Sequence, residues 1–218
     1  MSGPRGLFSS SERRWISPEE VAGIPKEFWD LTLDDVEPRD NPVNFNAVVE
    51  DVNEFTERRD VALRNGNGIT ICGTVGTGKT MLVSTIARQA MEIVGFNDVR
   101  QVEAHQLFES LKPKAASEEK DIFYRDYRFV EKPKDKYLAV RLLVIDDLGA
   151  EYHTDWAQVE LDHIITTRHN KRLSTCITTN LLNADEFEET YGARIADRLF
   201  ERNAWYTLDG PSYRGSRK

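Results

Sequence analysis

Ile69-Thr70-Ile71-Cys72, followed by Gly73-Thr74-Val75-Gly76-Thr77-Gly78-Lys79-Thr80, decides the fold of this chain. The first four residues are a short apolar, β-branched run, and the next eight match G-x-x-x-x-G-K-[ST]. Beyond them Leu82, Val83, Ile86, Ala90 and Ile93 recur at helical spacing until Gly95, which predicts an amphipathic helix over residues 79–94. A glycine-rich loop between a strand and a helix can wrap its amides around phosphate oxygens, with the partial positive charge of the helix start beneath them. Gly73, Thr74, Val75, Gly76, Thr77 and Gly78 would form that cradle. Lys79 is then expected to reach the β- and γ-phosphates of a nucleotide, and the Thr80 hydroxyl to ligate Mg²⁺. A turn that binds nothing is the alternative, and the strand and helix on its two sides argue against it.

Outward from the loop, strand and helix signals alternate. Val99 to Val102 reads as a strand, about 35 mixed residues follow, and Leu142-Leu143-Val144-Ile145 is a continuous apolar run of the kind a doubly covered parallel strand needs. Thr154 or Asp155 can cap a helix running to about Lys171, Ser174 to Thr179 is strand-like, a helix starts near Ala193, and a last strand spans about Trp205 to Leu208. Upstream, residues 46–64 are expected to be one helix, stopped by Asn65-Gly66-Asn67-Gly68. Strands separated by helices imply a mainly parallel sheet with helices on both faces.

The apolar run at 142–145 ends in Asp146-Asp147, a second acidic site. Beside a phosphate loop, Asp146 is placed to hold Mg²⁺ and Asp147 to polarise an attacking water. Many such sites carry Glu at the second position, so the shorter Asp147 could need help from water or from Glu151, four residues on; Glu151 as a solvated loop acid is equally open. Asn180, at the end of the 174–179 strand, sits where open α/β sheets bind ligands. It either hydrogen-bonds the γ-phosphate or the attacking water, or simply closes a turn.

Net charge is −8, but 14 acidic and 7 basic side chains fall in residues 1–60, leaving 23 and 22 in the rest. The acidic excess therefore sits apart from the loop, and the near-neutral remainder is free to place basic groups against phosphates. Lys112, Lys114, Lys120, Arg125, Arg128, Lys132, Lys134 and Lys136 lie close together with Phe123, Tyr124, Tyr127 and Phe129 among them. That mixture suits single-stranded DNA, or else an insertion that buries its aromatics against the core. Cys72 and Cys176, both in apolar runs, read as reduced core thiols, and His105, His153, His163 and His169 have no metal-binding spacing. No apolar stretch is long enough for a membrane helix and the N-terminus lacks a signal-peptide core, so a cytoplasmic protein is expected. The first dozen residues read as a flexible arm.

Three elements in this order, with LLVIDDLGAE at 142–151, ITTN at 177–180, GARIADRLFER at 192–202 and the late Ser212-Tyr213-Arg214, resemble the AAA+ ATPases, specifically the DnaC/DnaI-type helicase loaders and IstB-type transposition ATPases. The resemblance covers about Ile24 to Arg214. It implies a three-layer αβα P-loop NTPase with a mainly parallel five-stranded sheet and a minimal or absent C-terminal lid. Residues 1–45 would be an N-terminal extension that binds a partner, and 46–218 the ATPase core. The resemblance also implies ATP and Mg²⁺, self-association through the ATP sites, single-stranded DNA and a hexameric replicative helicase as partners, with a transposition helper as the rival reading. Arg198 would be the arginine finger reaching a neighbouring subunit's ATP, and Arg214 the second sensor. Arg194 and Arg198, four apart on one helical face, repel unless an anion faces them or Asp197 and Glu201 pair with them in solvent. A nucleoside or nucleotide kinase would share the loop but not Asp146-Asp147, Asn180 and the late arginines.

Overall fold

The computed structural model describes residues 7–8, 15–36, 44–112, 133–149 and 154–212. Five parallel strands, β1 (Gly68–Cys72), β2 (Val99–Glu103), β3 (Leu142–Asp146), β4 (Ser174–Thr178) and β5 (Asn203–Thr207), form one sheet in the order β2-β3-β4-β1-β5. β1, β3 and β4 are buried along their whole length, as the middle strands of a parallel sheet covered on both faces must be. Register follows from the pairs Ile145 with Ile177 and Ile71 with Thr178. All five strands therefore end on one side, and the loops that leave them meet there.

One face of the sheet is covered by α2 (Phe45–Glu57), α3 (Arg59–Asn65) and α4 (Lys79–Val94), which bury Phe45, Val48, Val52, Leu63, Leu82 and Ile86 against Ile69, Ile71 and Val144. The other is covered by α5 (Ala104–Leu111), α6 (Pro133–Ala139), α7 (Asp155–Asn170), α8 (Ala184–Tyr191) and α9 (Ala193–Arg202), packed on Leu143, Ile145 and Ile177. This is the three-layer αβα architecture with a five-stranded parallel sheet. Between Thr207 and Ser212 no helix follows.

The helices depart from the sequence expectation near Arg58 and after Asn180. The single helix over 46–64 is two, because the chain leaves helical geometry at Arg58 (φ −99°, ψ 18°), whose N–H still closes on the Glu54 carbonyl. The segment after Asn180 carries an additional helix, α8. Asn183 caps it by accepting from the Glu186 N–H at 2.9 Å, and the Glu186 carboxylate accepts from the Leu182 N–H at 2.6 Å.

The segment before α2 packs on the sheet. Helix α1 (Pro18–Ala22) lies beside β2, and Gly23 comes so close that a Cβ there would stand 2.2 Å from the Gln101 carbonyl oxygen. Ala22, Ile24 and Leu33 join the α2–α4 core, and Arg88 of α4 donates to the Trp29 carbonyl at 2.7 Å. Leu7–Phe8 pairs antiparallel with Trp15–Ile16; the rest of the arm expected over the first dozen residues lies outside the described residues. Both cysteines are buried free thiols, and burial pushes each up to about 12. Trp156 packs edge-on to Phe108, and Trp205 lies between Phe187 and Phe200. Among the described residues no helix is long and apolar enough to cross a membrane.

Candidate functional site

β1 delivers Gly73 at the strand-end side of the sheet, and α4 starts at Lys79, six residues later. Gly76 and Gly78 take left-handed φ values of 81° and 103°, so the loop turns tightly enough to aim its amides inward. Thr77 is buried and its hydroxyl donates to the Thr74 carbonyl at 2.9 Å, bracing the turn from within. Lys79 is only 6% exposed. Its ammonium donates to the Gly73 and Thr74 carbonyls, both at 2.7 Å, and to Asn180 Oδ1 at 3.0 Å. Val75, at the crown, is exposed.

The acidic site meets this loop through α4. Thr80 Oγ1 donates to Asp146 Oδ1 at 3.1 Å, so the two groups expected to hold Mg²⁺ face each other. Asp146 is 5% exposed. Its burial pushes the carboxyl above the ordinary range, opposed by the hydroxyls of Thr178 and Thr80. A hard cation prefers carboxylate and hydroxyl oxygen, and these donors fit Mg²⁺. Asp147 has φ 54°, a left-handed conformation that Asp tolerates better than most residues. Its Oδ1 accepts from Asn180 Nδ2 at 2.5 Å. Asn180 therefore bridges the loop lysine to the second carboxylate, and the structure brings Lys79, Thr80, Asp146, Asp147 and Asn180 together.

Two contributors were not expected from the sequence. Thr178 joins the Asp146 carboxylate to the Asp147 backbone, with Oγ1 donating to Asp146 Oδ1 at 2.5 Å and accepting from the Asp147 N–H at 2.8 Å. The signal for it is a polar side chain in a strand buried throughout. The second is the chain after β5. Thr74 Oγ1 donates to the Gly210 carbonyl at 2.7 Å and accepts the Gly210 N–H at 3.0 Å, and a Cβ on Gly76 would meet Ser212 Oγ at 2.0 Å. This follows from topology, because β5 is parallel to β1 and leaves the sheet beside the loop.

Arg198 lies elsewhere. On α9 it lines a notch with Gly66, His169, Leu173, Arg202 and Asn203, residues at or near the starts of β1, β4 and β5. A five-residue strand spans about 15 Å, so Arg198 is at the opposite end of the sheet from the phosphate loop. Its guanidinium donates to the Arg194 carbonyl at 2.6 Å, while Arg194 pairs with Asp162 at 3.3 Å and Glu201 engages His169 and Arg202. Of the basic cluster, Lys112 pairs with Glu109 and Lys134 with Glu160, each at 2.5 Å, and Lys136 stands 4.6 Å over the Tyr137 ring. Lys114, Lys120, Arg125, Arg128, Lys132, Glu151 and Arg214 lie outside the described residues.

Comparison with known proteins agrees with this geometry. The family model of IstB-like ATP binding proteins matches residues 51–218. Among solved structures, the DnaC helicase loader is similar at 26% identity and a TM-score of 0.66, covering 86% of this chain and 100% of that one. DnaI is similar at 23% identity and a TM-score of 0.63, covering 90% and 99%. AMPPCP-bound DnaA from Aquifex aeolicus is similar at 19% identity and a TM-score of 0.60, covering 84% of this chain and 50% of that one. At those identities the last two speak for the fold alone. No curated protein matches the chain. With the family model spanning most of the sequence, the chain belongs to the IstB-like ATP-binding proteins.

Proposed function

We propose that the protein hydrolyses ATP to ADP and phosphate within a multi-subunit assembly, and that this cycle loads a hexameric replicative helicase onto single-stranded DNA. The observation that carries hydrolysis is the Asn180 bridge, 3.0 Å from Lys79 and 2.5 Å from Asp147. A lysine for the phosphates and a carboxylate for the water are held by one amide, so a γ-phosphate that draws Lys79 away releases Asn180 to turn toward it. Thr80 and Asp146 would hold Mg²⁺, which neutralises charge developing on the phosphates when bound. Asp147 then orients the attacking water and accepts its proton.

Arg198, at the far end of its own sheet, serves a neighbouring subunit in this reading, and Arg214 acts as the second sensor. Mixing Arg198→Ala protein, which keeps its loop, with Lys79→Ala protein, which keeps its finger, is expected to restore phosphate release that neither has alone. No recovery in mixed assemblies would overturn a finger acting in trans.

The helicase partner rests on the likeness to the DnaC loader and on the acidic residues 1–45, taken as the partner-binding extension ahead of a core at 46–218. A transposition helper is the rival reading, supported by the resemblance to IstB-type transposition ATPases and by the match to the IstB-like family. Capture of Lys79→Ala protein with ATP separates them, since retention of a hexameric helicase supports loading and retention of a transposase supports the rival. DNA contact is assigned to the basic segment of Lys112, Lys114, Lys120, Arg125, Arg128, Lys132, Lys134 and Lys136. Reversing Lys132, Lys134 and Lys136 to Glu should weaken single-stranded DNA binding and flatten its salt slope by about 2, three contacts at about 0.7 each. An unchanged slope in fluorescence titrations would remove that assignment.

A further inference from the structure

We propose that Thr178 is a positioning residue that sets both aspartates of the acidic site through one hydroxyl, the first by its carboxylate and the second by its backbone. Its catalytic consequence rests on the ATPase reading above, while its geometry does not. β3 and β4 run parallel with Ile145 opposite Ile177, which puts Thr178 beside Asp146 where both strands end. The side chain is 1% exposed, so water does not compete for its bonds. Its hydroxyl donates to Asp146 Oδ1 at 2.5 Å and accepts the Asp147 N–H at 2.8 Å, and its own carbonyl accepts the Leu148 N–H at 2.8 Å. One residue of β4 thus holds three consecutive residues leaving β3.

The division of labour follows from the inventory of a hydroxyl, which has one proton to give and lone pairs to receive. Its proton goes to the Asp146 carboxylate and fixes that oxygen opposite Thr80. Its lone pair takes the Asp147 amide at the residue where the backbone turns left-handed, φ 54°. Two residues further along the same chain, Asn180 holds the Asp147 side chain. Thr178 therefore secures the Asp147 backbone, Asn180 its carboxylate, and the two aspartates are locked in mutual register. Valine would keep the branched shape in the sheet and remove both bonds at once.

The test compares Thr178→Val and Thr178→Ser, using fluorescence of a mant-labelled ATP analogue, Mg²⁺ titration, steady-state phosphate release and thermal melting. With Thr178→Val, nucleotide binding without Mg²⁺ should stay within about twofold and melting should remain cooperative. The Mg²⁺ concentration for the half-maximal signal should rise, and kcat should fall with little change in KM, each by about 10–100-fold, the usual range for groups that orient a metal's ligands. Thr178→Ser should restore both. An unshifted Mg²⁺ midpoint in Thr178→Val overturns the proposal. So does a serine variant as impaired as valine, or a valine variant that loses Mg²⁺-free binding and melting stability in step with turnover. If the unaltered protein releases no phosphate, the ATPase reading fails, and the Mg²⁺ midpoint still decides the role of Thr178.

Discussion

Substituting Lys79 by methionine is expected to lower phosphate release by about 10²–10³-fold, the range found when a single preorganised charge donor is removed from a transition state. Lys79 is held almost out of solvent, and its three donors are spoken for by the Gly73 and Thr74 carbonyls and Asn180. A phosphate group needs only to replace those acceptors, so the charge is already in place before substrate arrives. Methionine keeps the stem and removes the charge together with all three bonds. Arginine should not rescue the loss, because a planar fork cannot place its donors where a compact ammonium sits between two adjacent carbonyls. A turnover within threefold of the unaltered protein would show that the loop's amides alone hold the phosphates.

The second large effect lies far from the loop. Arg168 on α7 is fully buried. Its guanidinium donates to Thr175 Oγ1 at 2.9 Å and to the carbonyls of Tyr137, Val140 and Ser174 at 2.7, 3.0 and 2.5 Å. Burial pushes it down to about 9, which leaves it a cation at neutral pH. Arg168→Ala would open a cavity and strip three buried carbonyls of their donor, costing on the order of 4 kcal/mol, a large share of a typical domain's stability. Arg168→Lys, with fewer and differently placed donors, should fall between. Urea unfolding monitored by circular dichroism measures it, and a midpoint change worth less than about 1 kcal/mol at constant slope would mean those carbonyls find other partners.

These two residues mark what was legible in the sequence. Lys79 belongs to a contiguous motif whose neighbours in sequence are also its neighbours in space, β1 and β3 announce themselves as apolar runs, and β4 as a β-branched one. Arg168 reads as an ordinary basic residue in the last turn of a helix, because its acceptors come from the end of α6 and the start of β4. α8 was hidden for a different reason. Its sequence, ADEFEETY, buries only Phe187 and Tyr191, too few apolar positions to show a period, and the Asn183 and Glu186 cap was its one local sign. Thr178 looked like part of a β-branched strand, and its bonds to Asp146 and Asp147 cross 31 to 32 residues of chain.

The placement of Gly23 against the Gln101 carbonyl bears on how copies of this chain can meet. β2 and β5 are the outermost strands, and an open outer strand invites pairing with another molecule. Here the backbone around Gly23 stands on one of them, and the Asn44 amide donates to the Thr207 carbonyl at the end of the other. In the assembly proposed above, copies of this chain would then meet through helix and loop surfaces, since one sheet could grow into the next only by displacing these contacts.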